Sequence, residues 1–186
     1  PVQYAVIVDE SHAFGLYSAM SFTAIILAAG KGTRMNSALP KPLHRVGGRA
    51  MLAWSMDAAR LAGAERIVTV LAPGSENIQD WLDGAPFAIQ EDQLGTGNAV
   101  ASAREAVGQE DGVAIVMFAD TPLVSAASLK QLADGVKAGA GIVIAGFRPD
   151  DPKGYGRLVE DADGTISRIV EDRECSPAER AIGLCN

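Results

Sequence analysis

Five short apolar runs, spaced by stretches of helical periodicity, leave this chain few folds to choose from. AIILAA (24–29), RIVTVLA (66–72), FAIQ (87–90), VAIVMFA (113–119) and GIVIAGF (141–147) read as strands, with VAIVMFA the most continuously apolar. Between them, residues 49–62 set Met51, Leu52, Met56, Ala59 and Leu61 at near-helical spacing, with Gly63 as a stop. SENIQDWL (75–82) starts a short helix with Ser75 as its cap, and 97–107 is alanine-rich and helical. Ser125 caps a further helix with Leu129, Leu132, Ala133 and Val136 on one face. GRLVEDADGTISRIVED then reads as two short strands turning around Asp163-Gly164. The pattern predicts an α/β fold: a Rossmann-like, doubly wound, mostly parallel sheet with right-handed crossovers and a small β-hairpin near the C-terminus. Ligands of such sheets bind beyond the carboxyl ends of the strands. That singles out the loops after residues 29, 90 and 119.

The first of these loops runs Leu27-Ala28-Ala29-Gly30-Lys31-Gly32-Thr33-Arg34-Met35. Small residues admit a polyphosphate close to the backbone, successive amides make an anion-binding concavity, and Lys31 and Arg34 add charge. It is neither of two familiar glycine loops: GxxxxGK[ST] is missing, and so is the third glycine of GxGxxG. Downstream, Lys41 is framed by Pro40 and Pro42, which restrain its backbone and suit it to a positioned phosphate contact. His44, at the end of an apolar turn, reads as structural.

Asp120 ends VAIVMFA, where a carboxylate faces the ligand crevice and can hold magnesium against substrate phosphates. The Glu91-Asp92, Glu110-Asp111 and Asp150-Asp151 pairs look like solvated turns. The remaining loop, Gln90-Glu91-Asp92-Gln93-Leu94-Gly95-Thr96-Gly97, offers a glutamine amide that can match a pyrimidine edge, with backbone and hydroxyl contacts at Gly95 and Thr96.

A formal charge of −7 argues against a general nucleic-acid binder, so phosphate recognition has to come from a local group of cations; Lys31, Arg34, Lys41, Arg45 and Arg49 provide one. No apolar run approaches the roughly 18 residues of a membrane span, and no secretion signal is visible. Cys175 and Cys185 read as two thiols of a reducing compartment rather than a bridge. The expected location is the cytoplasm.

In order, LAAGKGTRMNSALPKPLH, QEDQLGTGNA, FADTPL, GYGRL, IVED and the terminal LCN resemble the N-terminal half of the bifunctional N-acetylglucosamine-1-phosphate uridylyltransferase / glucosamine-1-phosphate acetyltransferase family. The resemblance covers about residues 21–186. Molybdenum-cofactor, cytidylyl and thymidylyl transferases share the glycine loop but usually vary the rest. The resemblance implies a fold of the nucleotide-diphospho-sugar transferase type and magnesium-dependent attack of N-acetylglucosamine-1-phosphate on the α-phosphorus of UTP. By motif, it implies that Leu27, Ala28, Ala29, Gly30, Lys41, Gln90, Gly95 and Thr96 hold the nucleotide. Arg34 and Lys41 would act on the phosphates, Asp120 would bind magnesium, and Gly156, Glu171 and Asn186 would contact the sugar. The sequence departs from the family at Asn98, where histidine usually follows LGTG, and at Phe118-Ala119, where Tyr-Gly is frequent.

The family domain continues past Asn186, so residues 20–186 read as a nucleotidyltransferase domain incomplete at its C-terminus. The β-helix through which full-length members self-associate has no counterpart in this sequence. Residues 1–19 have no family equivalent and read as an extension. Their VDESHAFG resembles a strand-end segment of pyridoxal-phosphate α-oxoamine synthases, but nothing else of that enzyme accompanies it. YAVIVDE has the composition to pair as an edge strand.

Overall fold

The computed structural model describes residues 3–7, 22–30, 32, 35–37, 39–108, 112–162 and 164–186. Lys31, Thr33, Arg34 and the VDESHAFG segment beyond Ile7 lie outside these residues, as does Asp163 of the hairpin turn. The strands are β1 (Gln3–Ile7), β2 (Phe22–Leu27), β3 (Arg45–Val46), β4 (Arg49–Ala50), β5 (Ala64–Leu71), β6 (Phe87–Ile89), β7 (Val113–Phe118), β8 (Ile142–Gly146), β9 (Arg157–Glu160) and β10 (Ile166–Val170). The helices are α1 (Met51–Ala62), α2 (Glu76–Gln79), α3 (Thr96–Ser102), α4 (Arg104–Val107), α5 (Ala126–Lys137) and α6 (Pro177–Arg180). The chain divides into two compact units, Ala19–Leu129 and Pro1–Ser18 with Lys130–Asn186, the boundary falling within α5.

The first unit is built on a four-stranded parallel sheet of order β6-β5-β2-β7. β2 is rich in β-branched residues and pairs on both edges, Ala24 with Ile67 on one side and with Ile115 on the other. Ile25, Val68 and Val70 on one face meet Ala99 of α3 and Ala103 just after it. Strand alternation sends the fully buried Ala24 and Ile26 to the opposite face. α1 packs against β2 and β5, burying Met51, Leu52, Met56 and Ala59. It stops at Gly63, whose φ of 95° is the left-handed cap that glycine adopts without strain.

In the second unit, β1 pairs antiparallel with β8, Gln3 opposite Gly146 and Ile7 opposite Ile142. This is the strand pairing for which YAVIVDE has the composition. β9 and β10 form the expected hairpin, closed by Gly164 N–H to Asp161 O (3.0 Å). Leu158, Ile166 and Leu184 make a small core with Ile144 and Ile182.

Four local expectations need correction. Leu61 is exposed, because nine residues beyond Leu52 the helix has turned through half a circle relative to the buried side. β7 is not buried on both faces: Val113, Ile115 and Met117 are inside, whereas Val116 and Phe118 are more than 40% exposed. Ser75 precedes α2 without capping it through its side chain, its ψ of 33° lying outside the extended region capping residues adopt. The 97–107 helix is interrupted at Ala103 and gives α3 and α4. At Ser125 the cap does form, with the hydroxyl accepting from Ser128 N–H at 3.1 Å.

Candidate active site

Three backbone hydrogen bonds carry the sheet ladder past the strand ends and gather the loops singled out by the topology. Ala28 N–H donates to Val70 O (2.8 Å), Gln90 N–H to Leu71 O (2.8 Å), and Ala119 N–H to Leu27 O (3.0 Å). Each loop therefore leaves the same end of the sheet. Between them, within the first unit, lies a cavity of about 280 Å³. Its wall is formed by Leu27, Ala28, Ala29 and Gly30 of the first loop, Gln90, Gly95 and Thr96 of the second, and Asp120 after β7, with Lys41 beside them. All the nucleotide positions expected from sequence thus line one concavity together with the expected metal ligand. Arg34 lies outside the described residues.

Lys41 begins a 3-10 turn, Lys41–Leu43, whose Pro42 and Leu43 are buried and anchor it. Leu43 N–H closes the turn on Pro40 O (2.9 Å). The His44 ring meets Leu39 O at 3.1 Å, a structural contact as expected. Gly32, at φ +57°, brings the first loop against this turn, so that an added Cβ would stand 3.0 Å from Lys41 Cβ. Across the cavity mouth the Lys41 ammonium is hydrogen-bonded to Asp120 Oδ2, a pair separated by 79 residues in sequence. Both side chains are about one-third exposed. Thr121 folds back beneath Asp120, its hydroxyl donating to Phe118 O (2.9 Å) and so turning the chain sharply at the strand end.

Gln90 is 5% exposed. Its side-chain nitrogen donates to Gly95 O (3.1 Å) and to Asn98 Oδ1 (2.9 Å). Gly95, at φ 100° and ψ −176°, occupies backbone space open to glycine, and its carbonyl also accepts from Ala99 N–H (3.1 Å) in the first turn of α3. Gln93 was missed as a site residue by sequence reasoning. It lines the cavity and ties the two loops together through Nε2–H to Ala29 O (3.0 Å). Its membership of the same polar loop was the available signal. Pro42, Ala99, Phe118 and Ala119 also line the wall, supplying shape rather than polar chemistry.

The expected sugar contacts belong to the second unit. Asn186 N–H donates to Gly156 O (3.2 Å), and the Asn186 amide oxygen sits where a Cβ on residue 156 would go. Arg157 pairs with Val170 across the hairpin, which sets Glu171 beyond the strand end opposite Gly156. The buried Arg157 guanidinium holds the same corner: it donates to Tyr155 O and to Asp172 Oδ1, the latter at 3.3 Å. Cys185, adjoining Asn186, is buried, and burial pushes its thiol pKa up.

Among the described residues no three His, Cys, Asp or Glu side chains converge. A divalent cation at Asp120 would therefore draw most of its oxygen ligands from bound phosphates and water. Magnesium commonly binds in that way, with one or two carboxylates and substrate phosphates, so the donor set fits it.

Fold and loop cluster together define an α/β nucleotidyltransferase domain. The chain belongs to the family of the MobA-like NTP transferase domain, whose model matches residues 24–161. It is 46% identical over 168 residues to the bifunctional protein GlmU of Maricaulis maris (strain MCS10), covering 89% of this chain and 37% of that protein. Against the bifunctional protein GlmU of Trichlorobacter lovleyi the figures are 44% over 167 residues, 88% and 36%. The chain thus spans little more than a third of the length of these curated relatives. Among solved structures, Rv0371c from Mycobacterium tuberculosis H37Rv shares the fold at a TM-score of 0.52 and 24% identity, over 66% of this chain and 63% of that one. A structure described as the Rv0371C complex with manganese aligns at a TM-score of 0.50 and 26% identity, over 63% of this chain and 60% of that one. No helix among the described residues is long and apolar enough to cross a membrane.

Proposed function

We propose that the domain transfers a uridylyl group from UTP to N-acetylglucosamine-1-phosphate, giving UDP-N-acetylglucosamine and pyrophosphate for cell-envelope polysaccharide synthesis. The observation that carries this reading is the convergence of Gly30, Lys41, Gln90, Gly95 and Asp120 on one cavity at the carboxyl edge of the sheet. The likeness to the bifunctional GlmU proteins supports the choice of nucleotide and sugar. We further assign residues 20–186 to the transferase domain, residues 1–19 to an extension, and the reaction to the cytoplasm, which supplies nucleoside triphosphates.

In the reaction a phosphate oxygen of the sugar-1-phosphate attacks the α-phosphorus of UTP. A new P–O bond forms as the α–β bridging P–O bond breaks, and pyrophosphate leaves with the electron pair. The nucleophile is already an anion, so no protein group has to remove a proton. The small residues Ala28, Ala29 and Gly30 let the nucleotide approach the backbone. Lys41, with Arg34, neutralises charge on the phosphates; a polyphosphate competes with Asp120 for the Lys41 ammonium. Asp120 would hold magnesium, which supplies Lewis-acid charge neutralisation at the phosphate oxygens. Gly156, Glu171 and Asn186 would orient the acetylated sugar.

The test is pyrophosphate release from UTP and N-acetylglucosamine-1-phosphate with and without magnesium. Turnover is expected only with the metal, and Asp120→Ala should lower it by at least about 100-fold. Undiminished turnover by Asp120→Ala would sink this reading.

A further inference from the structure

Gln90 lines the cavity with both of its amide donors engaged, and one of the two acceptors belongs to Asn98. The carbonyl of Gly95 can only accept, so the Gln90 atom 3.1 Å from it has to be the amide nitrogen. The second proton of that nitrogen is taken by Asn98 Oδ1 at 2.9 Å. Both donors of Gln90 are thereby committed. Its remaining polar atom, Oε1, has no partner among the described residues, while the residue itself lines the cavity. Asn98 is half-buried on α3, and its own carbonyl accepts from Ser102 Oγ (3.0 Å), so the acceptor it offers is held on an ordered turn.

We propose that Asn98 is a positioning residue that sets base selectivity: by accepting from Gln90 Nε2 it keeps the Gln90 amide turned so that a bound base meets an acceptor. A uracil ring carries an N3–H donor and satisfies that acceptor. Cytosine presents an unprotonated N3 at the same place, setting two acceptors against each other. The unmatched polar pair is then buried without a hydrogen bond, the costly outcome for a desolvated site. Gly95 anchors the amide nitrogen, and Asn98 removes the alternative of an amide rotated out of that plane. The inference rests on the uridylyl reading above and adds to it the residue that enforces the choice of base.

The test measures Kd for UTP and for CTP by calorimetry, on the wild-type chain, Asn98→Ala and Asn98→Asp. Alanine deletes the acceptor, and the CTP/UTP Kd ratio should fall by roughly tenfold. Aspartate keeps an acceptor, and the ratio should stay within about twofold of wild type. A purely structural role for Asn98 would weaken both nucleotides together and leave the ratio unchanged in the alanine variant, which overturns the proposal. A ratio lost in Asn98→Asp overturns it as well, so the outcome is decided even if the alanine variant fails to fold. Wild-type protein that prefers UTP while Asn98→Ala keeps the full ratio defeats the Asn98 role alone. Wild-type protein that binds CTP as tightly as UTP, or neither, defeats the uridylyl reading and this inference with it.

Discussion

Gly32 and Lys41 show how closely backbone geometry and charge placement are linked at this site. Gly32 combines φ +57° with a Cβ position 3.0 Å from Lys41 Cβ, so a side chain there is strained twice. Gly32→Ala should destabilise the fold by about 1 kcal/mol and displace the lysine, lowering turnover far more than Tm. The Lys41–Asp120 pair is about one-third exposed at each end, and such pairs add little stability. Lys41→Ala should therefore leave the melting temperature within a few degrees while reducing pyrophosphate release by about 100-fold. Calorimetric melting beside a pyrophosphate assay checks both substitutions. The site was legible where chemistry is written in residue type: a lysine between prolines, a carboxylate at a strand end, glycines before a helix. Gln93 was not, because only folding reveals that its amide reaches Ala29 O. Nor was the mutual pairing of Lys41 and Asp120, two residues brought together by the order of strands.

Among the elements, α6 is a single turn that relies on its ends. Ser176 and Glu179 form a reciprocal capping box: Ser176 N–H donates to Glu179 Oε2 (2.7 Å) and Glu179 N–H to Ser176 Oγ (3.3 Å). Hydrogen bonding with the Ser176 side chain, then its backbone N–H, then Arg168, lowers the Glu179 pKa from 4.5 to about 2. A depressed carboxylate stabilises the folded state above its unfolded pKa, and that contribution is lost as pH falls through its folded pKa. The contribution of Glu179 is thus present above about pH 4.5 and disappears toward pH 2. Carboxyl NMR titration should show the low value, and Ser176→Ala should move it up toward 4.5; an unmoved titration would contradict the capping role. Elements of this kind vary in how far sequence reveals them. α1 was readable because a near-regular apolar pattern ends at a glycine, although Leu61 belongs to the solvent side. The exposed row on β7 was not, since an apolar run does not tell whether both faces are covered.

At the scale of the whole molecule, the proposed nucleotide residues lie in one compact unit and the proposed sugar residues in the other. The two substrates should therefore respond separately to substitution. A side chain at residue 156 would push the Asn186 amide out of its place, so Gly156→Ala should raise the KM for the sugar phosphate by roughly tenfold. Calorimetry should find its UTP affinity within about twofold of wild type; equal losses for both substrates would contradict the division of labour. A net charge of −7 bears on the same scale, because repulsion of polyphosphate by the whole chain leaves attraction to local cations, of which Lys41 stands at the cavity among the described residues. β7 has a different consequence. Among the described residues it pairs only with β2, and of its half-exposed apolar side chains Phe118 belongs to the cavity wall while Val116 does not. A strand paired on one side keeps, on the other, a row of amides and carbonyls that water or a further extended segment has to satisfy.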